Sequence, residues 1–231
     1  MDKINYYFFK TISSTNTYAK ENIADLKLPC IIIADEQTAG RGRRGNSFYS
    51  PSGSGLYMTA LFYAPDDCSL LTPVAAVSVC KALEYYGLNP QIKWVNDIFI
   101  DCKKACGILT EIFSYNQKNI IALGVGINLT TREFPENMPQ ATSIGLNLDK
   151  RTLSLKIFDY ILDYCKNKKN SQVTDEYQKR LFIIGKQITY TKNNIEYCAT
   201  VQGINSSCNL IVELSNGNKD VLSSGEISIK F

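Results

Sequence analysis

The chain of 231 residues contains no histidine, so its other ionisable groups must carry any chemistry. Without imidazole, Ser-His-Asp and Cys-His hydrolases, histidine general bases and His-ligated zinc are excluded. Catalysis falls to Lys, Arg, carboxylates, backbone amides or a ligand-borne metal. Three arginines, Arg41, Arg43 and Arg44, stand together in the stretch 39–55, AGRGRRGNSFYSPSGSG. Each guanidinium is permanently charged, and its fork matches a carboxylate or a phosphate. Gly40, Gly42 and Gly45 spell G-x-G-x-x-G, the fingerprint of a dinucleotide-binding turn. That turn needs a helix opening at its glycines so that amides face a pyrophosphate. Pro51, Gly53 and Gly55 follow instead and argue against a helix. No G-K-[ST] is present, so this is not a Walker loop. What remains is a loop whose amides and guanidiniums can close on an anion. A solvated basic loop, or a patch that touches nucleic acid, is the alternative.

Three further stretches carry chemistry. Lys93-Trp94-Val95-Asn96-Asp97 ends an apolar run with a cation, an aromatic ring and two polar groups. Lys103-Lys104 precedes Ala105-Cys106-Gly107-Ile108-Leu109, which puts a lysine at the mouth of a strand or in a hairpin turn. Gly124-Val125-Gly126-Ile127-Asn128 reads either as a strand of close approach with Asn128 exposed or as a bulge. The eight cysteines are scattered without a C-x-x-C, so they read as reduced thiols of a cytoplasmic protein. Cys102 and Cys106 make a poor metal pair.

These residues must be positioned by regular elements. Ser14 or Thr15 caps a helix start. CIIIA (30–34) and LYMTALFY (56–63) are strand runs, and 91–100 and 107–113 form a strand pair. Residues 119–129 are a further strand. A helix opens at Thr72-Pro73 and stops at Gly87, with Ala76, Val79, Cys80, Leu83 and Tyr86 on one face. A second helix spans 153–166, with an apolar stripe of Leu155, Phe158, Leu162 and Cys165. After Gly185 the texture becomes four short strand-like runs at 186–191, 196–202, 209–214 and 221–229. Asn193-Asn194, Asn205-Ser206 and Asn216-Gly217 separate them. The division falls after Ile184, giving units 1–184 and 185–231. Charged residues make up 20% and the net charge is +3, too little for a dedicated nucleic-acid binder. No apolar run approaches the ~20 residues of a membrane span, and no secretory signal is visible.

Taken in order, Ser14-Thr15-Asn16, the 37–45 segment QTAGRGRRG, Lys93–Asp97, Lys104 with Gly107-Ile108-Leu109, Gly124–Leu129 and a late Gly225-Glu226-Ile227-Ser228 resemble the motif series of the biotin–protein ligases, also called biotin–[acetyl-CoA-carboxylase] ligases. The likeness runs over almost the whole chain and is to the monofunctional form, without an N-terminal DNA-binding domain. It implies an α+β fold: a class II synthetase-like mixed sheet flanked by helices, with a small SH3-like β-barrel at the C-terminus. It implies formation of biotinyl-5′-AMP from biotin and ATP, then biotin transfer to a lysine of a biotin carboxyl carrier protein. No DNA or membrane partner is expected, and the state is a monomer or weak homodimer. By the same resemblance, Ser14, Thr15, Asn16, Gln37, Gly40, Arg41, Gly42, Arg43 and Lys104 bind biotin. Arg41, Arg43, Arg44, Phe48, Lys93, Asn96 and Asn128 face ATP. Lys104, Arg41 and Asp97 are catalytic, with Mg²⁺ entering on the triphosphate and no metal site of the protein's own. Two positions depart from the family pattern: Val95 replaces a common proline, and Phe48 replaces a common tryptophan that covers adenine. A lipoate or octanoate ligase or transferase is the alternative within the superfamily.

Overall fold

CIIIA is continuously apolar because both faces of its strand are covered. In the computed structural model, which describes residues 4–193, 195–223 and 227–229, the elements run in chain order as follows. β1 (Asn5–Ile12), α1 (Thr15–Glu21), β2 (Cys30–Gln37), β3 (Gly55–Tyr63), α2 (Leu71–Glu84), β4 (Gln91–Lys93), β5 (Asp97–Ile100), β6 (Lys103–Tyr115) and β7 (Lys118–Asn128) come first. Then come α3 (Lys150–Asn167), α4 (Asn170–Arg180), β8 (Gln187–Lys192), β9 (Ile195–Ile204), β10 (Leu210–Leu214), β11 (Lys219–Leu222) and β12 (Ile227–Ile229). β1 and β2 pair in parallel across α1. All other neighbours in the seven-stranded sheet, ordered β1-β2-β3-β7-β6-β5-β4, are antiparallel. A second antiparallel sheet has the order β11-β10-β9-β8-β12. The fold is the expected one: a mixed sheet with flanking helices and a small C-terminal β unit.

Period-2 alternation sorts the strand residues between two cores. Ile31, Ile33, Met58, Phe62, Ile121, Leu123 and Val125 face α2 and α3, in a cluster that continues into the second sheet through Ile188, Val201 and Leu210. Cys30, Ile32, Leu61, Ile120 and Ala122 face the other way, under Ala19 of α1. No helix among the described residues is long and apolar enough to cross a membrane.

Several expected elements shift. Residues 91–100 form two strands, broken at Trp94–Asn96. The Trp94 indole N–H donates to Cys208 O at 2.9 Å, and Asn96 Nδ2 donates to Ile108 O at 2.9 Å. These bonds hold a turn where propensity alone suggests extension. Pro73 is the third residue of α2, not the first. Its missing N–H costs nothing there, because the first four amides of a helix have no internal partner. In α3 the buried seam is Leu153, Ile157, Phe158, Ile161 and Tyr164, whereas Leu155 is exposed. The run 221–229 divides between β11 and β12, on opposite edges of the second sheet. Asn194, Gly225 and Glu226, which carried a predicted turn and part of the late motif, lie outside the described residues.

Candidate active site

Three glycines in register open a cavity on the α1 face of the sheet. Gly107 pairs with Gly126, and Leu109 with Gly124, while Tyr57 and Thr59 of β3 stand across from Gly126 and Gly124. No bulge interrupts these ladders, so Gly124 to Asn128 is a strand of close approach. Further along the same face, Ile120 and Ala122 are packed. Where side chains become hydrogen atoms, the packing ends and a space of about 320 Å³ begins. The Phe48 ring lies over this floor. A Cβ at Gly107 would stand 3.1 Å from Phe48 Cε2, and one at Gly126 only 2.5 Å from Cε1. A Cβ at Gly124 would collide with Asn16 Oδ1. The ring also meets Tyr57 edge-on at 6.4 Å.

One end of the cavity is polar and fixed. Ser14 caps α1 through the Thr17 N–H, and Thr15 and Asn16 are buried. The Asn16 amide gives its protons to Leu109 O at 3.3 Å and Glu111 Oε2 at 2.9 Å, and its oxygen accepts from Thr59 Oγ1 at 2.5 Å. Gln37 Oε1 accepts from Thr15 N at 2.8 Å and from Thr15 Oγ1 at 3.1 Å. Gln37 Nε2 donates to Ser50 Oγ at 2.9 Å, which in turn donates to Phe48 O. This chain couples the start of α1 to the arginine loop.

The other end is cationic. The loop folds on itself as Gly42 N–H bonds Asn46 O at 2.7 Å and Phe48 N–H bonds Gly40 O at 2.8 Å. Only a three-residue 3-10 turn forms, at Arg43–Gly45, with Arg44 in the left-handed region at φ 55°. The dinucleotide fingerprint therefore lacks its helix. Arg43 Nη1 donates to Asn96 Oδ1 at 3.1 Å, latching the loop to the turn before β5. Lys104 Nζ lies 2.8 Å from Asp97 Oδ1. The Lys104 main chain is anchored by bonds to Gln140 O and from Thr142 N–H. Lys93 Nζ sits 5.8 Å from the centre of the Phe99 ring. Among the described residues five cations, Arg41, Arg43, Arg44, Lys93 and Lys104, line the cavity with one carboxylate, Asp97, and Arg41 stands on the Asn16 side, within reach of Glu111. Such an imbalance suits a polyanionic ligand.

The structure thus brings together Ser14, Thr15, Asn16, Gln37, Arg41, Gly42, Arg43, Arg44, Phe48, Lys93, Asn96, Asp97 and Lys104 around one space. Gly40 and Asn128 do not line it. Gly40 packs against the loop's own return, where a Cβ would stand 2.7 Å from Ser50 Oγ and collide with Phe48 O. Asn128, expected exposed, is 5% exposed. Its Nδ2 donates to Thr142 O at 2.9 Å, and its Oδ1 is buried with no partner among the described residues. Sequence reading missed Thr59 and Glu111. Glu111 accepts from Asn16, from Lys20 Nζ at 2.9 Å and from Arg41 Nη1 at 3.4 Å. Burial works to raise its carboxyl, and the Lys20 and Asn16 bonds overcome this, leaving it below the usual value. Strand alternation was the available signal, since Gly107, Leu109 and Glu111 share one face of β6.

Comparison with known proteins follows the same lines. A family profile described as "Biotin/lipoate A/B protein ligase family" matches residues 8–128. A second, "Biotin protein ligase C terminal domain", matches residues 183–230. The chain is 33% identical over 153 residues to the bifunctional ligase/repressor BirA of Escherichia coli, covering 62% of this chain and 48% of that protein. It is 33% identical to the biotin–[acetyl-CoA-carboxylase] ligase of Paracoccus denitrificans, covering 50% of this chain and 51% of that one. It therefore spans about half the length of these curated relatives. Among solved structures, the biotin protein ligase of Aquifex aeolicus in complex with biotin and ATP superposes with a TM-score of 0.83 at 27% identity, covering 98% of both chains.

Proposed function

This chain belongs to the biotin/lipoate A/B protein ligase family, and from that premise we propose that it joins biotin to a lysine of a biotin carboxyl carrier protein in two steps. First, a biotin carboxylate oxygen attacks the α-phosphorus of ATP, the bond to the leaving pyrophosphate breaks, and biotinyl-5′-AMP forms. No general base is needed, because the carboxylate is already ionised at neutral pH. Second, the neutral amine of the carrier lysine attacks the acyl carbon, AMP leaves, and the amine loses a proton. The observation that carries the reading is a glycine-floored cavity with a hydrogen-bonding end at Ser14 to Asn16 and Gln37 and a cluster of cations beyond it. That division fits a ligand with a neutral hydrogen-bonding head and a reacting carboxylate beside phosphates.

In this reading Ser14, Thr15, Asn16 and Gln37 receive the ureido head. Arg41, Arg43 and Lys104 offset charge on the carboxylate and α-phosphate. Lys93, Asn96 and Arg44 serve the rest of ATP. Asn128 belongs to the ATP side, and its orphaned Oδ1 is an acceptor in need of a donor. Mg²⁺ enters on the triphosphate. Asp97, the only carboxylate lining the cavity among the described residues, is already paired with Lys104. That donor set suits a metal held by phosphates and water. Once released by Lys104, Asp97 takes the carrier lysine's proton. The unit boundary after Ile184 is part of the same proposal, supported by the second profile's start at residue 183. That match also favours biotin over lipoate.

Pyrophosphate release should depend on biotin and not respond to lipoate. Lys104→Ala should reduce it by roughly 10²-fold or more, the scale of one lost transition-state partner. Equal turnover of lipoate would reverse the substrate assignment. Near-normal release in the variant would remove Lys104 from the first step.

A further inference from the structure

We propose that Glu111 is a positioning residue of this site: it docks Arg41 at the cavity mouth and fixes the Asn16 amide as an acceptor. The inference deepens the function proposed above and rests on it for the ligand's identity. Glu111 lies on β6, two residues beyond Leu109 and on the face of Gly107, yet it does not itself line the cavity. Its carboxylate takes two cations. Lys20 of α1 stands at 2.9 Å. Arg41 stands farther, at 3.2 Å from Oε1, with 43% of its side chain exposed. Lys20 alone neutralises Glu111, so Arg41 is surplus charge on a loose tether. Exposed pairs of that kind are weak. A ligand carboxylate or phosphate in the cavity can take the guanidinium without leaving Glu111 unpaired.

The second effect is on Asn16. An amide can turn either its oxygen or its nitrogen toward a ligand. Here both Nδ2 protons are committed, to Glu111 Oε2 and Leu109 O, while Thr59 Oγ1 uses one lone pair of Oδ1. Only an acceptor lone pair is left to offer. Gly124 has no Cβ to cover that oxygen. The site therefore asks its ligand for an N–H donor. A cyclic urea supplies one, and a dithiolane or alkyl chain does not. Glu111 would thus contribute to selectivity without touching the ligand.

The test uses Glu111→Ala and Glu111→Gln in the full chain, with three readings. Biotin titrated without ATP should bind Glu111→Ala about tenfold more weakly, the effect of losing a charged hydrogen bond that orients the receptor group. KM for biotin should rise in step while kcat stays within about threefold. In an Asn16→Ala background the same substitution should change biotin affinity by less than about twofold, because the route runs through Asn16. Limited trypsinolysis of the free protein, read by mass spectrometry, should show faster cleavage after Arg41 in both variants. Unchanged biotin affinity in Glu111→Ala, or an undiminished effect in the Asn16→Ala background, would overturn the orienting role. Unchanged cleavage after Arg41 would overturn the dock. A wild type that binds no biotin, with cleavage still accelerated in Glu111→Gln, would remove the ligand reading and leave the dock standing.

Discussion

At Gly126 a single methyl group would sit 2.5 Å from Cε1 of Phe48. The β7 backbone cannot retreat, because Gly126 pairs with Tyr57 on one side and Gly107 on the other. The ring must move, and it can move only into the cavity or out with its loop. Gly126→Ala should therefore cut biotin-dependent turnover at least about tenfold, with an overpacking penalty of about 1–3 kcal/mol. Phe48→Leu, which is smaller and more pliant, should recover part of that stability in the Gly126→Ala background while costing stability alone. Such coupling is expected of residues in contact. Chemical unfolding of the four proteins checks it, and additive losses would show that the ring does not rest on Gly126. Phe48 itself was a point of departure from the family pattern. Its place over Gly107 and Gly126 puts it inside the cavity that Asn16 and Asn96 also line.

At the scale of elements, the turn that carries Asn96 and Asp97 is supported from below by α4. The Tyr177 hydroxyl, on a fully buried side chain, donates to Val95 O at 3.0 Å. Arg180 forks onto Glu84 of α2 at 2.7 and 2.9 Å and reaches Glu176 at 2.7 Å. Tyr177→Phe would leave the half-buried Val95 carbonyl without its donor, at about 1 kcal/mol. Tm should fall by roughly 2–5 °C, and turnover should slow as Asn96 and Asp97 lose their fixed turn. A Tm within error of wild type, measured by calorimetry, would show that the bond contributes nothing. α4 was not legible in the sequence, because NSQVTDEYQKR buries only Val173 and Tyr177. Two apolar residues four apart do not make a stripe. β1 was missed because it is an edge strand with little alternation. The arginine loop and Lys93 to Asp97 stood out by residue type and spacing, whereas Lys104 and the glycines of 124–126 had two readings each until the ordered motif series resembled a known family. Glu111 and Thr59 were not legible. Their partnership with Asn16 spans 95 and 43 residues, and such pairs exist only once β3, β6 and α1 are folded together.

The whole molecule has an unusual titration, which sets its stability against pH. With no histidine, no side chain of ordinary pKa ionises between about pH 5 and 8. On the acid side, Glu111, Glu176, Asp35 and Asp220 are held below their usual values, against the cost of burial, by Lys20 with Asn16, Arg180, Lys150 and Lys192 respectively. A depressed carboxyl binds more protons unfolded than folded, so its contribution is present above the unfolded value and lost as pH falls through the folded one. Asp159, raised by burial, opposes this in part. On the alkaline side burial pushes thiols up from an ordinary value of 9.0: Cys30 to about 12, Cys165 and Cys208 to about 11, with Cys80 and Cys106 raised further. Burial likewise takes Tyr57 to about 12. These groups keep their protons folded and release them unfolded, so their contribution is complete below about pH 8.5 and drains as pH climbs toward the folded values. The urea midpoint should therefore be flat from about pH 5.5 to 8, fall below about pH 4, and fall again above about pH 9. Replacing Cys30 with Ala should shallow the alkaline limb even where it lowers stability at neutral pH, since one shifted proton is removed from the linkage. A midpoint that slopes steadily across the neutral range, or an alkaline limb of unchanged steepness in that variant, would mean that groups other than the buried thiols govern the response.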